Sequence, residues 1–261
     1  MRIAAKIAAF QLVDILRSRW LLGYAIFFLA ATELLLRFGG DATRAVVSLT
    51  SIVLFIVPLA AIVFATIYVH RAREFIELLL AQPVGRGAMF AGTYGAMAVS
   101  LSAGVALGVG MPFAVRGGAG VAGAAAVLVA TAVALTLVFA GAGVALALRT
   151  DDRLRAFGLA LGGWACAALV YDAVLLVLAT ALAGAPLERP LLVATLANPI
   201  DLARVVMLMH LDISALMGYT GASFTRFFAA STGTAIAAAS LAAWAAGPAL
   251  LGARFFRRKD F

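Results

Sequence analysis

Six apolar runs, each long enough to cross a bilayer, leave this chain few ways to fold. A hydrocarbon core about 30 Å thick takes about 20 helical residues at about 1.5 Å rise each. Runs of that order extend from Trp20 to Phe38, Ser48 to Val69, Met89 to Val115, Val121 to Leu148, Phe157 to Ala183 and Ala229 to Ala253. Apolar residues make up 65% of the 261 and charged residues 12%, against roughly 45–50% and 25% in a soluble domain. Such a chain cannot cover itself with enough polar surface to stay dispersed in water. The expected fold is an all-α membrane protein of six transmembrane helices forming one transmembrane domain over residues 1–261.

Six spans put both termini on one side, and the basic residues indicate which. Fourteen Lys and Arg fall on the terminal side, and six (Arg37, Arg44, Arg116, Arg189, Arg204, Arg226) on the other. Cytoplasmic loops carry the excess of Lys and Arg, so both termini are expected in the cytoplasm. The net charge of +8 therefore points to topology and anionic membrane lipid. No basic patch carries the interleaved aromatics of a nucleic-acid site. Cys166 stands alone in an apolar run, which excludes an intramolecular disulfide and a thiolate metal site. Arg2, Lys6, Asp14, Arg17 and Arg19 interrupt the first twenty residues, so a cleaved leader is not expected.

The segments that do not span are more specific. Over residues 1–19, Arg2, Lys6 and Arg17 share one arc of a helical wheel with Ile3, Ile7 and Phe10 beside it, the pattern of an interfacial helix. Within 70–88, Arg73 is spaced to pair with Glu77, and Phe75, Leu78 and Leu79 share a face. Pro83 ends that helix, biasing Gln82 out of helical geometry. A short cytoplasmic helix with apolar residues can enter a groove on a soluble partner or lie flat on headgroups. Residues 184–228 form a connection far longer than two spans need. There Asn198 is a helix cap, Pro199 suits the first helical position, and Asp201 completes a capping box. The helix from Ile200 to His210 is too short to cross and is expected on, or re-entering, the outer leaflet. Gly218 and Gly221 around Tyr219 predict a structured loop beyond it. Gly104 with Gly108, and Gly158 with Gly162, have the spacing that lets helices approach closely, within one chain or at a dimer seam.

Catalytic chemistry is scarce. His70 and His210 fall on opposite sides of the membrane, and no phosphate-binding G-x-x-x-x-G-K-[ST] loop is present. The Gly-Tyr-Thr-Gly-Ala-Ser run from Gly218 has no nearby His base for serine chemistry. Two carboxylates lie inside spans, where ionisable groups are costly. Glu33 has Arg37 four residues on, whereas Asp172 has no partner in sequence and is the better candidate for a polar pathway. Met207, Met209, His210 and Met217 carry soft copper ligands, although Met207 and Met209 point to different helix faces.

This arrangement of six spans, an N-terminal interfacial helix, a cytoplasmic helix after span two and an enlarged outer connection before span six resembles the ABC-2 class of ABC transporter permeases. Ala-Gln-Pro-Val at 81–84, Ala-Asn-Pro-Ile-Asp-Leu-Ala-Arg at 197–204 and Ala-Leu-Met-Gly-Tyr-Thr-Gly-Ala at 215–222 look most like the permease of nitrous oxide reductase maturation systems. The resemblance implies a non-catalytic homodimer in the cytoplasmic (inner) membrane. It would be bound to two copies of a cytoplasmic ABC ATPase that holds ATP and Mg, and to a periplasmic copper-handling maturation protein. Arg73, Glu74, Phe75, Glu77, Leu78, Leu79, Gln82 and Pro83 would then contact the ATPase. Asn198, Pro199, Asp201, Arg204, Met217, Gly218, Tyr219 and Gly221 would face the periplasmic partner, with a sulfur- or copper-related species as cargo. No cofactor or metal ligand in this chain is implied. An ABC-2 exporter of a lipid, peptide or drug shares every feature except the outer motifs, and a secondary transporter driven by protons through Asp172 is the more distant alternative.

Overall fold

The computed structural model describes residues 2–81, 84–181, 188–211 and 231–259. Ten helices account for nearly all of them: α1 (Arg2–Leu16), α2 (Arg19–Phe38), α3 (Ala42–Arg71), α4 (Arg73–Leu80), α5 (Arg86–Gly117), α6 (Ala122–Arg149), α7 (Arg153–Ala181), α8 (Glu188–Ala197), α9 (Pro199–His210) and α10 (Ser231–Arg258). Among the described residues six of these, α2, α3, α5, α6, α7 and α10, are long and apolar enough to cross a membrane.

Several helices start earlier than the apolar runs suggest, because a charged first turn belongs to the helix but not to the run. α7 begins at Arg153, where Asp152 caps it by accepting from the Leu154 and Arg155 amides at 2.8 and 3.4 Å. α3 likewise begins at Ala42, ahead of the expected Ser48.

The core is built on α3 and α6, joined through glycine. A Cβ on Gly143 would fall 2.5 Å from the Ile62 carbonyl oxygen and 2.9 Å from Ala65 Cβ, so only glycine lets these backbones meet. Thr66 Oγ1 sits at the same point, donating to Ile62 O at 2.7 Å and within 3.3 Å of Gly143 O. α10 seats against α6 at Gly141, opposite Pro248 and Ala249. The Gly104/Gly108 pair brings α2 onto α5: a Cβ on Gly108 would lie 2.7 Å from Phe28 Cβ. A π-helical turn at Ala106–Gly110 widens α5 there.

The second glycine pair behaves differently. Gly158 and Gly162 meet nothing within 4 Å, and only 6% of the apolar window of α7 is buried in the chain, against 67% for α3. α7 therefore turns most of its surface to lipid or to another chain.

α1 packs along α5, burying Ile15 and Gln11. Phe10, expected on the apolar face, is mostly exposed and stacks on Phe75 with ring centroids 5.5 Å apart. The wheel positions Arg2, Ile3, Lys6 and Ile7 have side chains outside the described set.

Candidate functional site

α4 leaves α3 across a single residue, Ala72, which closes one helix by donating to Tyr68 O and opens the next by accepting from Ile76 N. The expected ion pair forms, with Arg73 Nε 3.0 Å from Glu77 Oε1. Arg73 also reaches across to Asp151 in the α6–α7 turn at 3.3 Å. Ile76, which the sequence did not single out, is the anchor: it is fully buried. It stands four residues from Ala72 and three from Leu79, so the helical wheel could have found it. Phe75 and Leu79 are half-buried against the core, which leaves Leu78, 70% exposed, as the outward apolar side chain of the expected three. The outward stripe is thus Glu74, Leu78 and Ala81, at the i, i+4, i+7 spacing of one helix face. Gln82 and Pro83 lie outside the described residues.

The surroundings of α4 are tied down from several directions. Lys259 Nζ donates to Asp151 Oδ1 at 2.9 Å and to Leu148 O at 2.8 Å. Arg86, at the start of α5, donates to the carbonyls of Arg257 and Lys259. His70 bridges the carbonyls of Thr66 and Thr150 through its two ring nitrogens. The hydrogen bond and charge of Lys259, with Arg73 beside it, hold the exposed Asp151 carboxyl below its ordinary value of 3.8.

At the other end of the bundle, α8 and α9 form a bent pair, with 112° between their axes. Asn198 sits at the bend and serves both sides of it. Its Oδ1 accepts from Ile200 N at 3.0 Å, capping α9 as expected, and its Nδ2 donates to Ala167 O at 2.8 Å. Ala167 belongs to a π-helical turn in α7, Cys166–Val170; such turns free a carbonyl from the i+4 ladder. The last turn of α8 is capped by other helices: Tyr171 donates to Ala194 O at 2.6 Å and Trp244 to Leu196 O at 3.0 Å.

The expected capping box is not completed. The Asn198 amide is taken up by Thr195 O, and the Asp201 carboxylate turns instead to Arg204 at 2.8 Å. A cation one turn away is a stronger partner for a carboxylate than a backbone amide that α8 already satisfies. The same Arg204 Nη1 also lies 2.8 Å from Asp172 Oδ2. Asp172, without a partner in sequence, therefore belongs to an ion cluster that ties α7 to α9. One guanidinium serves two carboxylates there, and Asp201 Oδ2 is buried with no hydrogen-bond partner. Arg204 also lines a 250 Å³ cleft between α3, α7 and α9, with Thr50, Ser51 and Phe55 on the opposite wall.

Glu33 pairs with Arg37 at 2.8 Å and also with Arg116 of α5 at 3.1 Å, so it closes the α2–α5 rim. The methionines do not converge: Met207 is fully buried in the main core and Met209 packs in a separate cluster. His210 is exposed, and Met217, Gly218, Tyr219 and Gly221 lie outside the described residues. No group of three His, Cys, Asp or Glu side chains converges among the described residues.

Two comparisons bear on this architecture. The ABC-2 family transporter protein family matches residues 5–261. A curated relative named as the probable ABC transporter permease protein NosY, from Pseudomonas aeruginosa PAO1, is 29% identical over 277 residues, covering 99% of each chain. A match running almost end to end, over six membrane-crossing helices, places this chain in the ABC-2 transporter family as a multi-pass permease-type subunit of the inner membrane.

Proposed function

We propose that this chain is the membrane subunit through which a separate cytoplasmic ABC ATPase drives work on the periplasmic face, with both of its termini in the cytoplasm. The observation that carries the reading is α4, a short helix gripped from behind by Ile76, Phe75 and the Arg73–Asp151 contact, with Glu74, Leu78 and Ala81 turned outward. A helix held this rigidly can pass on a push without absorbing it in local bending. Two such chains would pair and engage two ATPase copies, where ATP and Mg would bind. The role we infer is maturation of nitrous oxide reductase: assembly of its copper sites with a periplasmic copper-handling protein, with a sulfur- or copper-related species as possible cargo. The full-length likeness to NosY and the motifs at 197–204 and 215–222 support this choice.

The test is purification of the tagged chain in mild detergent from cells grown anaerobically on nitrate, with identification of the proteins that accompany it. Wild type is expected to bring down an ATPase and a periplasmic copper-handling protein, and Leu78→Asp to insert normally but lose the ATPase. Normal recovery of the ATPase with Leu78→Asp would overturn the assignment of α4.

A second reading, export of a lipid, peptide or drug, is favoured by one feature, an apolar groove of 560 Å³ between α2, α3 and α7 lined by Trp20, Tyr24, Phe27, Leu59 and Phe157. Deleting residues 198–223 separates the two. An exporter loses export while nitrous oxide reductase keeps its copper, and a maturation permease leaves the reductase without it.

A further inference from the structure

A cavity of 420 Å³ lies where α4, the α6–α7 turn and the end of α10 meet, and its charge is unbalanced. Four cations line it, Arg73, Arg149, Arg258 and Lys259, against one carboxylate, Asp151. Arg73 and Lys259 share that carboxylate, and Arg73 also pairs with Glu77. Among the described residues, Arg149 and Arg258 have no carboxylate partner, and both are exposed. Helix C-termini would ordinarily supply the negative compensation. Here three of the nearby carbonyls are engaged, Leu148 O by Lys259, and Arg257 O and Lys259 O by Arg86. Among the described residues the cavity therefore carries more positive than negative charge.

Its lining also includes two apolar residues, Leu148 and Phe255, near the ends of their spans. A ligand suited to both surfaces is anionic at one end and apolar at the other, and the volume falls within the roughly 300–1,000 Å³ of small-molecule sites. We propose that this cavity binds the phosphate headgroup of an anionic phospholipid, Arg149 and Arg258 holding the phosphate while an acyl chain follows Leu148 and Phe255. A free phosphate ion would satisfy the cations but not the two apolar residues. An acidic protein segment would do the same, and it would also have to enter at membrane depth.

The test titrates the full chain, purified in dodecyl maltoside, separately with dioleoylphosphatidylglycerol, dioleoylphosphatidylcholine and inorganic phosphate, and counts bound lipid by native mass spectrometry. Phosphatidylglycerol is expected to be retained and phosphatidylcholine to be lost. Each basic residue contributes about fivefold to such binding, so Arg149→Gln with Arg258→Gln should weaken it about 30-fold. Arg149→Lys with Arg258→Lys should keep most of it. If the glutamine pair fails to fold, the exposed single variant Arg258→Glu must still weaken binding. Equal retention of both lipids, or retention indifferent to these variants, overturns the proposal. So does displacement of the lipid by phosphate at comparable concentration, which makes the cavity a free-anion site. Unchanged lipid retention with loss of a co-purifying ATPase from the glutamine pair assigns the surface to a protein interface instead.

Discussion

Replacing Gly143 with alanine tests the core of this fold with a single methyl group. The new Cβ would stand 2.5 Å from Ile62 O, where ordinary contact begins at 3.4 Å, so α3 and α6 must separate by about 0.9 Å at that level. Both atoms in the way belong to rigid helices, so no side chain can swing aside. A gap of 0.5–1 Å forfeits about a quarter to a half of each dispersion contact along the seam, and overpacking of this kind costs about 1–3 kcal/mol. The Thr66 hydroxyl would also lose its reach to Gly143 O, about 0.5–1.5 kcal/mol more. At about 2–4 °C per kcal/mol for a chain of this size, Tm in detergent should fall by roughly 3–18 °C. Gly158→Ala and Gly162→Ala are the controls: with nothing within 4 Å of either position, alanine meets no obstacle within the chain and removes the helix penalty of glycine, about 0.5–1 kcal/mol each. The assay is differential scanning fluorimetry on all three variants at matched detergent. A Gly143→Ala protein melting within about 1 °C of wild type, or controls falling as far as it does, would refute the close-approach argument.

Two further outcomes follow from the polar contacts. Asn198→Ala removes both a helix cap, worth about 1 kcal/mol, and the donor to a carbonyl freed by the π-helical turn, about 1–3 kcal/mol. Asn198→Asp keeps the cap alone and should lie between Asn198→Ala and wild type in Tm. Asp151 titrates below its ordinary value in the folded chain, so its contribution is present above about pH 4 and is lost as pH falls through the folded value. Asp151→Asn should therefore melt below wild type at neutral pH, and the difference should vanish once pH has fallen below the folded value and shrink in high salt.

Spans were legible because a helix must be apolar over its whole crossing length, and the Gly104/Gly108 seam because small residues four apart mark close approach. The same spacing at Gly158 and Gly162 meets nothing within the chain, and the glycines in contact at Gly141 and Gly143 stand two apart rather than four. The cap at Asn198 and the Arg73–Glu77 pair were legible because their partners lie within one turn. What escaped were contacts between distant elements. Asp172 is 32 residues from Arg204, and the hairpin bend that brings them together involves Tyr171, Trp244 and Ala167, none of which carries a local signal. Ile76 was passed over because a wheel drawn for α4 alone cannot say which apolar face meets the core and which is left outside. The capping box failed for a related reason: the pattern at 198–201 is correct locally, but α8 and Arg204 compete for both of its partners.

Residues 257–259 brace α4 and the start of α5. Lys259 reaches the Asp151 that also takes Arg73, and the final carbonyls of α10 receive Arg86. These contacts form only once residues 257–259 have been translated, long after α4 itself has emerged. A nascent chain paused before its sixth helix would present α4 without that brace.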